Sequence, residues 1–168
     1  MENNYKISVV IPVYNSSAFI NKCMNSLYKQ DFKKPFEIII IDDASTDNTL
    51  EIIKKWNLLN ISFFSLALNS GPSAARNIGI KHAKGEYIYF LDADDAIQIN
   101  TFSKLYKAAK KENYDMVFAD AKKIEADYEI GEEAIQEIDM AEFGRRTILT
   151  ARQTLLSRVL ELEKDEFY

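Results

Sequence analysis

Two runs of apolar residues, Ile7–Val13 (ISVVIPV) and Phe36–Ile41 (FEIIII), restrict this chain more than any other feature in it. Neither run alternates apolar with polar residues, so neither suits a strand with one wet face. Such strands have to be covered on both sides, as in a parallel sheet held between two layers of helices. The intervening segments supply those helices. Ser16 and Ser17 can cap a helix from about Ala18 to Gln30, with Phe19, Ile20, Cys23, Met24 and Leu27 on one face. Asp47 opens a second helix, to about Trp56, with Leu50, Ile53 and Trp56 inward. Ile61–Leu66 reads as a third strand. Pro72 suits the first turn of a third helix that continues from Ala74 to Ala83, with Gly85 as its stop. Glu86–Leu91 is a fourth strand, Thr101–Lys111 a fourth helix and Asp115–Phe118 a short fifth strand. This order predicts an α/β fold with a mostly parallel sheet flanked by helices.

Beyond Ala119 the pattern weakens. Glu125–Asp139 is acidic and fits an edge strand, a loop or a short helix, whereas Thr150–Leu162 has the apolar spacing of a helix. The expected organisation is a core over 1–120 and a partial C-terminal extension over 121–168. A length of 168 residues suits one domain with a real core, and 47% apolar with 28% charged residues is an ordinary globular balance. The net charge of −5 excludes a basic face for gripping nucleic acid. One cysteine, Cys23, excludes an internal disulfide and fits a reducing compartment, and its apolar neighbours mark it as a small core thiol. The start, MENNYK, lacks the features of a signal peptide, and no stretch has the length of a membrane span. The expected location is therefore cytoplasmic, with peripheral association at the inner face of the cell membrane still open.

In a parallel α/β sheet, ligands bind outside the carboxyl ends of the strands. Three polar groups fall there: Tyr14-Asn15 after the first strand, Asp42-Asp43 after the second and Asp92–Asp95 after the fourth. In extended chain Asp92 and Asp94 point the same way across a small Ala93, and two like charges held close call for a cation. Hard oxygen donors of this kind suit Mg²⁺ or Mn²⁺. The same aspartates also suit a solvated turn or a cap for the fourth helix. Of Asp42 and Asp43, one is expected to accept loop amides near Ser45 and Thr46, leaving the other to face a ligand N–H such as the imide of uracil. Tyr14 is either core or a stacking surface for a base. Arg76 is either a surface ion-pair partner or a diphosphate contact near a helix start. His82, the only histidine, lies between lysines near a helix end and reads as a surface residue. A dinucleotide fingerprint, a P-loop and a calcium loop are all missing from the sequence.

Four blocks, ISVVIPVYN (Ile7–Asn15), EIIIIDDASTDNT (Glu37–Thr49), NSGPSAARNIGI (Asn69–Ile80) and GEYIYFLDADD (Gly85–Asp95), resemble in order and spacing those of glycosyltransferase family 2. The resemblance covers about Lys6 to Ala119. It implies the GT-A fold and a metal-dependent, inverting transfer of a hexosyl or N-acetylhexosaminyl group. The donor would be a UDP-sugar and the acceptor a glycan or lipid-linked saccharide, as in polysaccharide biosynthesis for the cell envelope. Carried over by position, it implies nucleotide-sugar contacts from Pro12, Val13, Tyr14, Asn15, Asp43, Arg76, Asp92, Ala93 and Asp94. Pro12 and Tyr14 would line the base pocket, and Asp43 would accept the uracil imide N–H. Arg76 would lie near the nucleotide and Asp92 on the ribose side. Asp94, with Asp92, would hold Mn²⁺ or Mg²⁺, and Asp95 would support the loop. The family's general base lies well downstream, and no matching motif occurs before Tyr168; Glu161, Glu163, Asp165 and Glu166 read as a solvated helix end. The expectation is a donor-binding portion that transfers sugar poorly by itself. The alternative is a non-catalytic nucleotide-sugar-binding scaffold. A phosphohydrolase with an Asp nucleophile is disfavoured, because its D-x-D-x-T follows a first strand and Ala96 stands in place of the threonine.

Overall fold

The computed structural model describes residues 5–56, 60–111, 113–120 and 146–151. A six-stranded sheet organises them in the order β3-β2-β1-β4-β6-β5. Strands β1 (Ile7–Val13), β2 (Phe36–Asp42), β3 (Ile61–Ser65) and β4 (Tyr87–Phe90) run parallel, and β6 (Arg146–Ala151) runs antiparallel to both β4 and β5 (Met116–Asp120). Helices α1 (Ile20–Tyr28), α2 (Thr49–Lys54), α3 (Gly71–His82) and α4 (Thr101–Lys111) connect them.

The unbroken apolar runs are explained by the two faces of the sheet. Ile7, Val9, Ile11 and Val13 of β1 point into a core shared with Ile20, Cys23, Met24 and Leu27 of α1, Ile53 of α2 and Phe102 and Leu105 of α4. Val10 points the other way, joining Ile39, Ile41 and Ile88 against Ala75 and Ile80 of α3. Successive residues of a strand face opposite sides, so both registers have to be apolar.

α3 packs closely on β1. A Cβ at Gly79 would collide with the Val10 side chain. Gly85 is needed for a different reason from the helix stop read in the sequence. α3 already ends at His82, with Ala83 in an extended conformation (φ −63°, ψ 133°). A Cβ at Gly85 would lie 2.6 Å from the Ser8 backbone nitrogen and 2.8 Å from the Ile7 carbonyl carbon. Its N–H donates to Ser8 Oγ (2.7 Å), which donates to the buried Glu37 (2.6 Å), and Glu37 also accepts from the Lys84 N–H (2.7 Å). Gly85→Ala is therefore expected to destabilise the fold by about 1–3 kcal/mol, since backbone cannot yield as a side chain can. Urea unfolding followed by circular dichroism would show the loss as a lower midpoint with an unchanged slope.

Several boundaries differ from the sequence reading. α1 begins at Ile20 without a side-chain cap. The Ser16 carbonyl accepts the Phe19 and Ile20 N–H groups, while the Ser16 and Ser17 amides are themselves used as donors to the next loop. α4 is capped by Gln30, whose side-chain oxygen accepts the Phe102 N–H at 3.1 Å, and not by the aspartates before it. Thr150 and Ala151, expected to open a helix, belong to β6. The β-branched Thr147, Ile148 and Thr150 favour that outcome locally. The rest of that segment, like the acidic stretch Glu125–Asp139, lies outside the described residues. Among the described residues no helix is long and apolar enough to cross a membrane.

Candidate active site

The carboxyl ends of β1, β2 and β4 meet at a cavity of about 580 Å³. The loop after β1, which lines it, is tied to the loop after β2. Asn15, with a left-handed φ of 47°, turns its side-chain oxygen onto the amides of Thr46 (2.8 Å) and Asp47 (3.3 Å). Its own N–H donates to Ser45 Oγ (3.0 Å). In the other direction, the Ser16 N–H donates to Thr49 Oγ1 (2.7 Å) and the Ser17 N–H to Asp47 (3.1 Å). These cross-ties fix the backbone that follows Tyr14, a residue half exposed at the cavity.

Asp47 is the charged member of this latch. Burial pushes its carboxyl up, but hydrogen bonds from Thr49 and Ser17 outweigh that and hold it at about 2, against an ordinary 3.8. A lowered carboxyl stabilises the fold above its unfolded value and loses that contribution as pH falls toward 2. Asp47 is solvent-accessible, so the effect is expected to stay below about 1 kcal/mol. Thermal melts of the wild type and Asp47→Asn should differ at pH 6 and converge as the pH drops through about 4 to 2. A gap that persists at pH 2 would show that the carboxylate charge is not what matters.

The adjacent aspartates divide their tasks. Asp42 is the one that turns back: it accepts the Ser45 N–H (3.2 Å) and the Ser65 hydroxyl (2.9 Å) and does not line the cavity. Thr46, expected to share that role, donates to Asn15 instead. Asp43 is only 3% exposed and lines the cavity. Its two oxygens accept the Ser70 N–H (2.7 Å) and the Gly71 N–H (2.8 Å). It thereby caps α3, whose own Ser70 supplies no side-chain cap. Gly71 sits at φ 85°, a conformation that glycine adopts without strain and that aims its N–H at Asp43. A carboxylate has about four acceptor positions, so two remain for a ligand.

After β4 the chain does not stay extended. The Asp95 N–H donates to the Asp92 carbonyl at 3.0 Å, closing a turn. The turn, and not strand alternation, gathers the acids: one carboxylate oxygen from each of Asp92, Asp94 and Asp95 lies within 4.8 Å of the others. Asp95, read in the sequence as loop support, therefore joins Asp92 and Asp94. Arg76 Nη2 sits 2.5 Å from Asp92 Oδ1. Three oxygen donors this close, near solvent and with one cation on one of them, fit a hard divalent ion such as Mg²⁺ or Mn²⁺. Cys23 lies beneath the turn with its thiol toward the Asp92 carbonyl (3.8 Å). Burial, then the charges of Asp95, Asp94 and Asp92, push that thiol up to about 12, so it is an inert core group. His82 lies away from the site, with Nδ1 on the Ile78 carbonyl and its ring against Phe64.

All nine residues expected at the nucleotide-sugar site, Pro12 to Asn15, Asp43, Arg76 and Asp92 to Asp94, line this one cavity. The sequence reading missed Ser16, Phe19, Asn69, Gly71 and Pro72. Phe19, expected on one helix face with Ile20, Cys23, Met24 and Leu27, precedes α1 instead and is 51% exposed at the cavity. A signal for Asn69 and Gly71 exists in the block NSGPSAARNIGI, which carries part of the family resemblance but from which only Arg76 is taken as a nucleotide contact.

A parallel α/β core with this acidic turn at its carboxyl edge has the GT-A fold of nucleotide-diphospho-sugar transferases. Residues 8–159 match the family described as glycosyl transferase family 2, and the chain belongs to that family. It is 34% identical to the poly(ribitol-phosphate) beta-N-acetylglucosaminyltransferase TarS of Staphylococcus aureus over 97% of this chain and 29% of that protein. It is 42% identical to a poly(ribitol-phosphate) beta-glucosyltransferase of Bacillus spizizenii over 71% of this chain and 19% of the other. A crystal structure of S. aureus TarS 1–349 in complex with UDP aligns with a TM-score of 0.68 and 38% identity, over 75% of this chain and 38% of that one. The chain thus spans less than a third of the length of these curated relatives.

Proposed function

We propose that this chain holds the UDP-sugar donor, together with Mn²⁺ or Mg²⁺, for an inverting transfer to a hydroxyl of a glycan, lipid-linked saccharide or polyol-phosphate polymer. The observation that carries this reading is that Tyr14, Asp43, Asp92 and Asp94, far apart in sequence, border one cavity, with Asp95 gathered beside the last two. Tyr14 offers a ring for the base to stack on. Asp43, its orientation fixed by two backbone amides, accepts the imide N–H. Arg76 meets the diphosphate, where its fork of donors suits paired phosphate oxygens.

Asp94 and Asp92, joined by Asp95, would hold the divalent ion, which when bound supplies positive charge to the departing diphosphate. An acceptor oxygen attacks the anomeric carbon from the face opposite the diphosphate. The new C–O bond forms as the bond to the diphosphate oxygen breaks, and the acceptor proton passes to a carboxylate base. No described residue is assigned that last role. The relatives with poly(ribitol-phosphate) acceptors support a polymeric acceptor for the whole protein.

Titration calorimetry with UDP and CDP, with and without Mn²⁺, tests the donor side. UDP should bind more tightly than CDP, whose ring nitrogen is an acceptor facing the Asp43 carboxylate, and Mn²⁺ should tighten UDP. Equal binding of the two nucleotides would remove the role of Asp43. Binding indifferent to Mn²⁺ would remove that of Asp94.

A further inference from the structure

The ion pair between Arg76 and Asp92 occupies a carboxylate that the proposed metal site needs. We infer that Arg76 couples the binding of nucleotide to the binding of metal by exchanging partners. This rests on the donor-site reading above. The guanidinium stands 2.5 Å from Asp92 Oδ1, in a cluster whose three carboxylate oxygens lie within 4.8 Å of one another. It neutralises part of the like-charge repulsion there, and it opposes a divalent ion in two ways. It takes one donor oxygen, and it places a positive charge beside the site.

The pair is not a buried structural one. The side chains of Arg76 and Asp92 are 32% and 46% exposed, and both residues line the cavity. Arg76 lies in the second turn of α3, whose first amides are held by Asp43 on the same cavity wall. A diphosphate entering this cavity offers the guanidinium a more highly charged partner than one carboxylate. Turning toward it releases Asp92 to the metal, so each ligand strengthens the other, and by linkage the two effects are equal.

The test is Mn²⁺ affinity, measured by electron paramagnetic resonance, with and without saturating UDP. It is run on the wild type, Arg76→Gln, Asp92→Asn and the double variant, with Asp94→Asn as the site control. In the wild type, UDP should tighten Mn²⁺. In Arg76→Gln, Mn²⁺ without UDP should bind more tightly, by up to about fivefold, the ceiling expected of an exposed ion pair. UDP should also enhance Mn²⁺ binding by a correspondingly smaller factor. On the Asp92→Asn background, removing Arg76 should lose most of that effect, which a general electrostatic or structural role of Arg76 would not predict. Arg76→Lys, which keeps the charge and most of the helix surface, should lie between the wild type and Arg76→Gln.

If Mn²⁺ binds in an Asp94-dependent way but Arg76→Gln leaves both its affinity and the UDP enhancement unchanged, the coupling role is overturned and the donor site stands. If Mn²⁺ binding to the wild type is absent or indifferent to Asp94→Asn, the site reading falls and the coupling with it.

Discussion

Asp43→Asn is expected to lower UDP affinity by roughly tenfold to a hundredfold and to destabilise the fold by about 1–3 kcal/mol. Both effects come from one arrangement. Each Asp43 oxygen already accepts a backbone N–H, from Ser70 at 2.7 Å and Gly71 at 2.8 Å. An amide in the same place has one oxygen and one NH₂, so in either orientation an N–H of α3 faces another donor. The helix start then carries an unsatisfied amide in a site where Asp43 is 3% exposed, which is where such a loss is expensive. The affinity loss has a separate signature. The new NH₂ can donate to the ring nitrogen of cytosine but repels the imide N–H of uracil, so the UDP-to-CDP preference should collapse or invert. Asp42→Asn is the informative comparison. It disturbs the bonds to Ser45 and Ser65, and it should cost stability while keeping the nucleotide preference. An Asp43→Asn protein that is less stable yet keeps its full preference for UDP would reduce Asp43 to a helix cap.

This double duty of Asp43 marks how far the sequence could be read. The layered α/β fold was legible because β1 and β2 are apolar on both faces, a pattern that permits few folds. The convergence of Tyr14, Asp43 and Asp92 followed from topology alone, since the loops after parallel strands share one edge. Which of Asp42 and Asp43 turns back was legible only through the family resemblance and not from the residues themselves, because it depends on where Ser65 and the α3 amides sit in space. The turn that adds Asp95 to the acidic cluster was hidden for a similar reason. A D-A-D-D stretch fits extended chain and turn equally well, and a single bond from the Asp95 N–H to the Asp92 carbonyl decides between them. β6 was obscured by its neighbour in sequence: leucines at helical spacing after Ala151 drew the expected helix back over Thr150 and Ala151, while the pairing that makes Arg146–Ala151 a strand lies in β4 and β5. Asn15 belonged to the expected binding set, yet its side-chain oxygen is spent on the Thr46 and Asp47 amides. Its contribution to the cavity is to hold the Tyr14 loop in place.

Asp94→Asn should separate function from stability more sharply than any other change. Asp94 is exposed in a turn closed by main-chain atoms, so the substitution removes no bond that shapes the loop. It also removes one of three negative charges gathered within 4.8 Å. With like charges relieved, the melting temperature should stay level or rise slightly. Mn²⁺ affinity should move the other way, by a hundredfold or more, since loss of a supporting outer-shell partner alone typically costs tenfold to a hundredfold. UDP binding should lose its metal dependence and fall to the level of the wild type treated with a chelator. That equality is the decisive readout: chelator and substitution act on the same ion, so their effects on UDP affinity should coincide and not add. If chelation weakens UDP binding further in Asp94→Asn, the ion is held chiefly by Asp92 and Asp95. If Asp94→Asn instead melts well below the wild type with Mn²⁺ affinity intact, the acidic turn is a structural feature and the metal lies elsewhere.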